Sequence, residues 1–294
     1  MKNIIRVGFM QENTENESEA FVIPFVKIQG NGNDFILIDE TDGEVIPESM
    51  KRDFAALYCD RRFGIGADGV LFLSKSDKAN IRMKLLQPDR SEAEMCGNGI
   101  RCLVKYAYDS DYITENCVVE TLAGDLSVEL GYNENNDFIA RINMGRVLYD
   151  CSEIPAEGEG EYFRNIEGYE VYAVNTGVPH AVVFVDSIEN LAVEEIAPAI
   201  RYHDSFPKGA NVNFVEVKGE DEVTIRTYER GVESETLSCG TGSTASAALA
   251  YKLGKTGNKV NVNTVGGPLV IYLKGDEALM EGPAVTVFTG RIWA

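Results

Sequence analysis

Short runs of β-branched and aromatic residues, set off by glycine turns, recur along the chain and predict strands. Residues 25–28 and 35–38 read as two strands flanking a polar loop over 29–34. Residues 47–61 have a helical period with Pro47 near the start. The glycine-bearing loop 64–69 leads into a strand over 70–73. A helix follows Cys96, and further strands are predicted over 117–121, 125–130 and 138–143. Residues 151–170 carry six Glu and little apolar content, which predicts an exposed, negatively charged connection.

The second half repeats the first. Cys96 and Cys239, 143 residues apart, each open a Cys-Gly-x-Gly stretch followed by a helical pattern. The same offset carries Gly66-Ala67-Asp68 onto Gly209-Ala210-Asn211, Ser91-Glu92 onto Ser234-Glu235, Thr121 onto Thr264 and Gly124 onto Gly267. Leu126, Val128 and Leu130 fall on Leu269, Ile271 and Leu273 with the alternation of a half-buried strand. A repeat this long predicts two similar domains facing each other, not a solenoid, whose units are shorter. Each should combine an antiparallel-rich sheet with a helix that starts after its cysteine. Residues 1–20 read as a flexible extension, 21–142 as the first domain and 143–282 as the second, with 283–294 returning to the first.

Composition narrows the class. A chain of 294 residues with 44% hydrophobic and 25% charged residues is long enough for two ordinary globular domains. The formal net charge of −20 repels phosphate backbones and anionic lipid, which argues against nucleic-acid and membrane partners. Six dispersed cysteines without a Cys-x-x-Cys pair, and only two histidines, give a poor ligand set for zinc and no secreted disulfide framework. A cytoplasmic chain with reduced thiols is expected, and nothing in the sequence calls for a cofactor.

The candidate chemistry lies in the two cysteines. Flanking glycines let the backbone approach closely, and a helix N-terminus beside each sulfur favours thiolate and can receive a substrate carboxylate. Two thiols on opposite flanks of one carbon can invert it, one removing a proton while the other delivers one. A packed cysteine in a turn is the bland alternative for either site alone, and the pseudo-symmetric pair weakens it.

At these residues the chain resembles the diaminopimelate epimerase family. The resemblance rests on Lys27 to Phe35 (KIQGNGNDF), Ser91 to Gly99 (SEAEMCGNG), Thr176 to Ala181 (TGVPHA), Gly209-Ala210-Asn211, and Tyr228-Glu229-Arg230-Gly231 continuing through Glu235 to Gly242 (ETLSCGTG), in that order. It implies an α+β fold of two pseudo-symmetric domains, each a mixed, antiparallel-rich sheet or barrel wrapped on a central helix, with the active site in the cleft between them. It implies a pyridoxal phosphate-independent isomerase that interconverts LL- and meso-2,6-diaminopimelate without a cofactor, on the route to lysine. Cys96 and Cys239 would be the acid/base pair. Asn33, Gln87, Asn211, Glu229 and Arg230 would hold the distal end of the substrate, and Gly97-Asn98 and Gly240-Thr241 the reacting carboxylate. His180 and Glu229 would tune the thiols. A homodimer is implied as well, with Phe288 in the pairing region.

The chain departs from the family pattern at Gln87, where many members have Asn, and at Pro88-Asp89-Arg90, where they have Ala-Asp-Gly. Two other readings stay open on the sequence: a racemase for another amino acid such as histidine or proline, and a non-catalytic binding or redox-sensing protein on the same scaffold.

Overall fold

Alternating apolar residues need a covered face, and in each half the strands find theirs on a buried helix. The structure, a computed structural model, describes residues 22–293; the expected extension over 1–20 lies outside the described residues. The first half holds β1 (Val22–Gly30), β2 (Asn33–Asp39), α1 (Lys51–Tyr58), β3 (Gly69–Ser74), β4 (Ile81–Leu86), β5 (Glu92–Ala93), α2 (Gly97–Asp109), β6 (Cys117–Thr121), β7 (Gly124–Tyr132) and β8 (Phe138–Arg146). The second holds β9 (Phe163–Ile166), β10 (Tyr169–Asn175), β11 (Pro179–Phe184), α3 (Val193–Arg201), β12 (Asn211–Gly219), β13 (Glu222–Glu229), β14 (Ser234–Thr236), α4 (Gly240–Lys252), β15 (Lys259–Thr264), β16 (Gly267–Lys274) and β17 (Glu277–Pro283). A last strand, β18 (Val285–Trp293), pairs antiparallel with β1.

The pairings repeat step for step. β1 and β2 are antiparallel, β2 and β3 parallel, β3 and β4 antiparallel, β4 and β6 parallel, and β6, β7 and β8 antiparallel in turn. β10 to β17 follow the same order of directions. β8 then pairs with β17 and joins the two halves into one continuous ladder. The fold is mixed and sheet-rich, with few helices.

The loop expected over 29–34 shrinks to a two-residue turn, because Gly30 already pairs with Asn33. Asn31 and Gly32 both take positive φ, 53° and 80°, the backbone a tight hairpin of this hand requires.

α2 and α4 lie at the core. α4 is rich in Ala, Ser and Thr and is buried nearly all round. Its buried hydroxyls are satisfied one turn back: Ser243 donates to the Cys239 carbonyl at 2.9 Å, Thr244 to Gly240 at 3.0 Å and Ser246 to Gly242 at 2.7 Å. Residues 151–170 are largely exposed, as expected, but the segment is anchored by four buried side chains. Cys151, Ile154, Tyr162 and Ile166 are buried and pack with α3 residues Val193, Ala197 and Ile200 in a separate apolar cluster. The Glu side chains obscure these four apolar positions, which follow no regular period.

Candidate active site

Cys96 and Cys239 occupy the same place in the two halves: each is the residue before a central helix, with extended backbone at φ −147° and −117°. Cys96 Sγ accepts from the Gly99 N–H at 3.4 Å and so caps its own helix. Glycine is required just inside each helix because Met280, on β17, is wedged under both starts. A Cβ on Gly97 would strike the Met280 methyl, and one on Gly240 would lie 2.8 Å from its sulfur. The two helix N-termini therefore converge at the seam between the halves. Asn98 crosses that seam and donates to the Ser238 carbonyl at 3.3 Å.

On the first side, Cys96 Sγ donates to Asn33 Oδ1 at 3.6 Å, and Asn98 Nδ2 reaches the same oxygen at 3.3 Å. Asn33 Nδ2 donates to Asp68 at 2.6 Å. Asp68 and Asp34 share Arg61, and Asp34 also pairs with Lys27 at 2.6 Å. Burial opposes ionisation of Asp34, but hydrogen bonds from Arg61 and Lys27 hold its carboxyl down at about 2.

On the second side, Cys239 Sγ lies 3.4 Å from the Thr241 hydroxyl, which in turn lies 2.9 Å from His180 Nε2. The other ring nitrogen, Nδ1, accepts from Asn213 Nδ2 at 3.0 Å, while Asn213 Oδ1 accepts from Thr227 at 3.0 Å. Asn213 Nδ2 also donates to the Ala181 carbonyl at 3.1 Å, which turns that nitrogen toward Nδ1. An accepting Nδ1 places the proton on Nε2, which donates to Thr241 and leaves the Thr241 hydrogen for the sulfur. The Asn211 amide nitrogen lies 3.5 Å from the same Nε2. Burial, reinforced by the Arg230 cation, lowers the imidazole to about 3, so it is neutral at pH 7. The sequence suggests an imidazole next to a thiol; the structure puts Thr241 between them.

The thiols are also not the ready thiolates that helix N-termini suggest. Burial pushes Cys239 up to about 12, and the buried Glu229 carboxylate adds to the rise. Burial raises Cys96 too, against the Gly99 N–H, with Glu229 again adding to it. Desolvation outweighs the helix termini while no substrate charge is present.

Glu229 is itself raised by burial, and Thr236 donates to it at 3.0 Å. Asn211 accepts from the Arg230 N–H at 2.7 Å, and the Arg230 guanidinium donates to the Lys208 and Gly209 carbonyls at 3.0 and 3.2 Å. Gln87 stands 143 residues before Arg230, at the matching end of β4. It is exposed and accepts from the Ser91 hydroxyl at 2.8 Å. Arg90 holds the turn at φ 72° and forms an exposed ion pair with Asp53 on α1 at 2.9 Å.

The family model for diaminopimelate epimerase matches residues 25–149 and 172–287. The chain is 56% identical over 271 residues to the diaminopimelate epimerase of Methanothrix thermoacetophila, covering 92% of this chain and 96% of that protein. It is 53% identical to the one from Methanocella arvoryzae, covering 92% and 96%. The chain belongs to the diaminopimelate epimerase family. Solved structures at low identity show the same fold. The Bacillus anthracis phenazine biosynthesis protein of the PhzF family aligns with a TM-score of 0.71 at 16% identity, over 93% of this chain and 99% of that one. A hydroxyproline epimerase from Agrobacterium vitis, solved with trans-4-hydroxy-L-proline, aligns with a TM-score of 0.64 at 17% identity, over 92% of each.

Around this diaminopimelate epimerase site stand five residues that sequence reasoning passed over: Asp68, Arg101, Asn213, Thr227 and Met280. Asn213 left a trace, a polar residue at a fully buried place within an otherwise apolar strand segment. The others read as ordinary strand, loop or helix-surface residues.

Proposed function

We propose that the chain interconverts LL- and meso-2,6-diaminopimelate with Cys96 and Cys239 as the proton-transferring pair, as an isomerase of lysine biosynthesis. The observation that carries the reading is the placement of both cysteines ahead of symmetry-related helices that converge on Met280. The thiolate of one takes the α-proton, breaking the C–H bond, and the thiol of the other supplies a proton to the opposite face. The step leaves the first as thiol and the second as thiolate, so atoms and charge balance and the reverse reaction uses the same pair.

The backbone N–H groups of Gly97-Asn98 and Gly240-Thr241 take up the charge that develops on the reacting carboxylate. A distal ammonium on Glu229 quenches the negative charge that otherwise holds both thiols protonated, and the reacting ammonium adds a positive charge beside them. Substrate binding thus turns on the acidity that burial suppresses. Asn33, Gln87, Asn211 and Arg230 complete recognition of the distal end. We place the reaction in the cytoplasm, where the six free thiols stay reduced. No helix among the described residues is long and apolar enough to cross a membrane. We also assign a homodimer, supported by exposed Val285, Val287, Phe288 and Trp293 along β18, whose outer edge is unpaired among the described residues.

Fresh, reduced protein given LL-diaminopimelate in deuterated water should yield meso product deuterated at the inverted carbon, and do so faster than it racemises histidine or proline. Cys96→Ser and Cys239→Ser should each abolish epimerisation. Full activity in either variant overturns the two-thiol reading, and preference for another amino acid overturns the substrate.

A further inference from the structure

Arg101 lies on α2, five residues after Cys96, with its side chain wholly buried. A buried cation ordinarily needs an anion, yet no carboxylate pairs with this one among the described residues. Two glycines leave room for it. A Cβ on Gly30 of β1 would lie 3.1 Å from its Nη2, and one on Gly282 of β17 would lie 3.1 Å from its Nε and Cζ. Its donors reach neutral acceptors: Nη2 meets Asn31 Oδ1 at 2.8 Å and Asn98 Oδ1 at 2.9 Å, and Nε meets the Pro283 carbonyl at 3.1 Å. Stability alone does not account for such a residue, because an apolar side chain of similar volume would fill the slot with no charge to desolvate.

The guanidinium decides which way two amides face. It can only donate, so Asn31 and Asn98 both turn their oxygens to it and their nitrogens away. Both nitrogens then cross from the first half to the second. Asn31 Nδ2 donates to the Pro268 carbonyl on β16 at 3.0 Å. Asn98 Nδ2 lies 3.3 Å from the carbonyl of Ser238, the residue before Cys239, and 3.3 Å from Asn33 Oδ1, which holds the Cys96 thiol. With the Nε bond to the end of β17, one side chain controls three polar ties across the seam. The repeat does not supply a second set. Thr241 matches Asn98 and Thr244 matches Arg101, 143 residues on, and the Thr244 hydroxyl is spent on its own helix.

We propose that Arg101 is a positioning residue that sets the Cys239 loop against Cys96, by fixing the two amides whose hydrogen bonds cross from one half to the other. Without the guanidinium, the Asn31 and Asn98 oxygens are left buried and unpaired. Each amide must then move to find a donor, and each such move breaks a bond across the seam. Asn98 matters more, because its nitrogen touches both cysteine loops. The consequence for turnover rests on the two-thiol reading above; the placing of one loop against the other does not.

The test treats the intact, reduced protein with dibromobimane, which joins two thiols only when they face each other closely, and resolves the Cys96 and Cys239 peptides by mass spectrometry. The second alkylation is intramolecular, so its yield reports how well the loops are held together. In the native chain the two cysteines should be bridged. Arg101→Met should cut bridged product about tenfold relative to product modified at one cysteine, and lower kcat on diaminopimelate about a hundredfold. KM should stay within about threefold, because the groups assigned to the distal end are left in place. Arg101→Lys, which still donates to both oxygens, should recover most of both losses. Asn31→Gly keeps the positive-φ turn, removes one of the two amides and should fall between the native chain and Arg101→Met. A native chain that is not bridged, a folded Arg101→Met that bridges like the native chain, or a loss that Lys does not restore would overturn the proposal. Should Arg101→Met fail to fold, Asn31→Gly decides, and native bridging there overturns it. A chain that loses bridging in Arg101→Met yet does not epimerise diaminopimelate when native overturns the proposed function and leaves this inference standing.

Discussion

Thr241 shows how one hydroxyl changes the meaning of its neighbours. The motif places His180 near the second thiol, but the ring reaches it only through Thr241 and is held neutral by burial. The sign of its pH dependence follows. Folded His180 sits at about 3 against an ordinary 6.5, so the unfolded chain binds a proton that the folded chain lacks between those values. Its contribution to stability is complete above pH 6.5 and is lost as pH falls toward 3, at up to about 1.4 kcal/mol per pH unit. Glu229, raised by burial, pulls the other way above its ordinary 4.5, so the comparison must be with a variant. Urea titrations at pH 7, 6 and 5 should show stability changing less favourably with falling pH in the native protein than in His180→Gln, the difference in slope being the His180 contribution. Thr241→Val should leave the His180 Nε2–H without a partner, costing about 1–3 kcal/mol by the same titration. The motifs made the thiols, Thr241 and His180 legible as a set. They could not show Thr241 as the intermediary, because which polar atoms meet depends on Asn213 and Thr227, which arrive from neighbouring strands.

Among elements, the repeat was the most legible feature, because an offset of 143 residues preserves both periodicity and the cysteine punctuation. It holds to the residue at the start and end of the two central helices, Gly97–Asp109 and Gly240–Lys252. Reading was poorer where one element does two jobs. The helix expected over 47–61 is a short 3-10 turn at Glu48–Met50 followed by α1, with Asp60 and the residues after it folding back as a loop. Met280 sits in an ordinary strand pattern, and its seat under two helix starts comes from the β8–β17 pairing, which no local pattern encodes. Met280→Ala should open a cavity there and destabilise the protein by about 2–5 kcal/mol in chemical denaturation. Met280→Leu, which nearly conserves volume, should cost less than about 1.5 kcal/mol. The epimerase rate should fall further in the Ala variant than its stability alone explains, because both N-termini lose their common support.

The whole molecule is two copies of one pairing scheme fused edge to edge through β8 and β17, and the −20 net charge had no part in specifying it. Light scattering should give the mass of a dimer, and Phe288→Asp on β18 should give a monomer. A native monomer would contradict the assigned assembly. The β18 pairing has another side. Val22 lies opposite Trp293 in the same antiparallel ladder, so the first and last described strands run side by side, their outer ends adjacent. A short peptide tie there, with new termini opened in the exposed turn over 157–160, would give a circularly permuted chain with every ladder intact. Its sequence would then begin with the second repeat and finish with the first, turning an interleaved duplication into a tandem one.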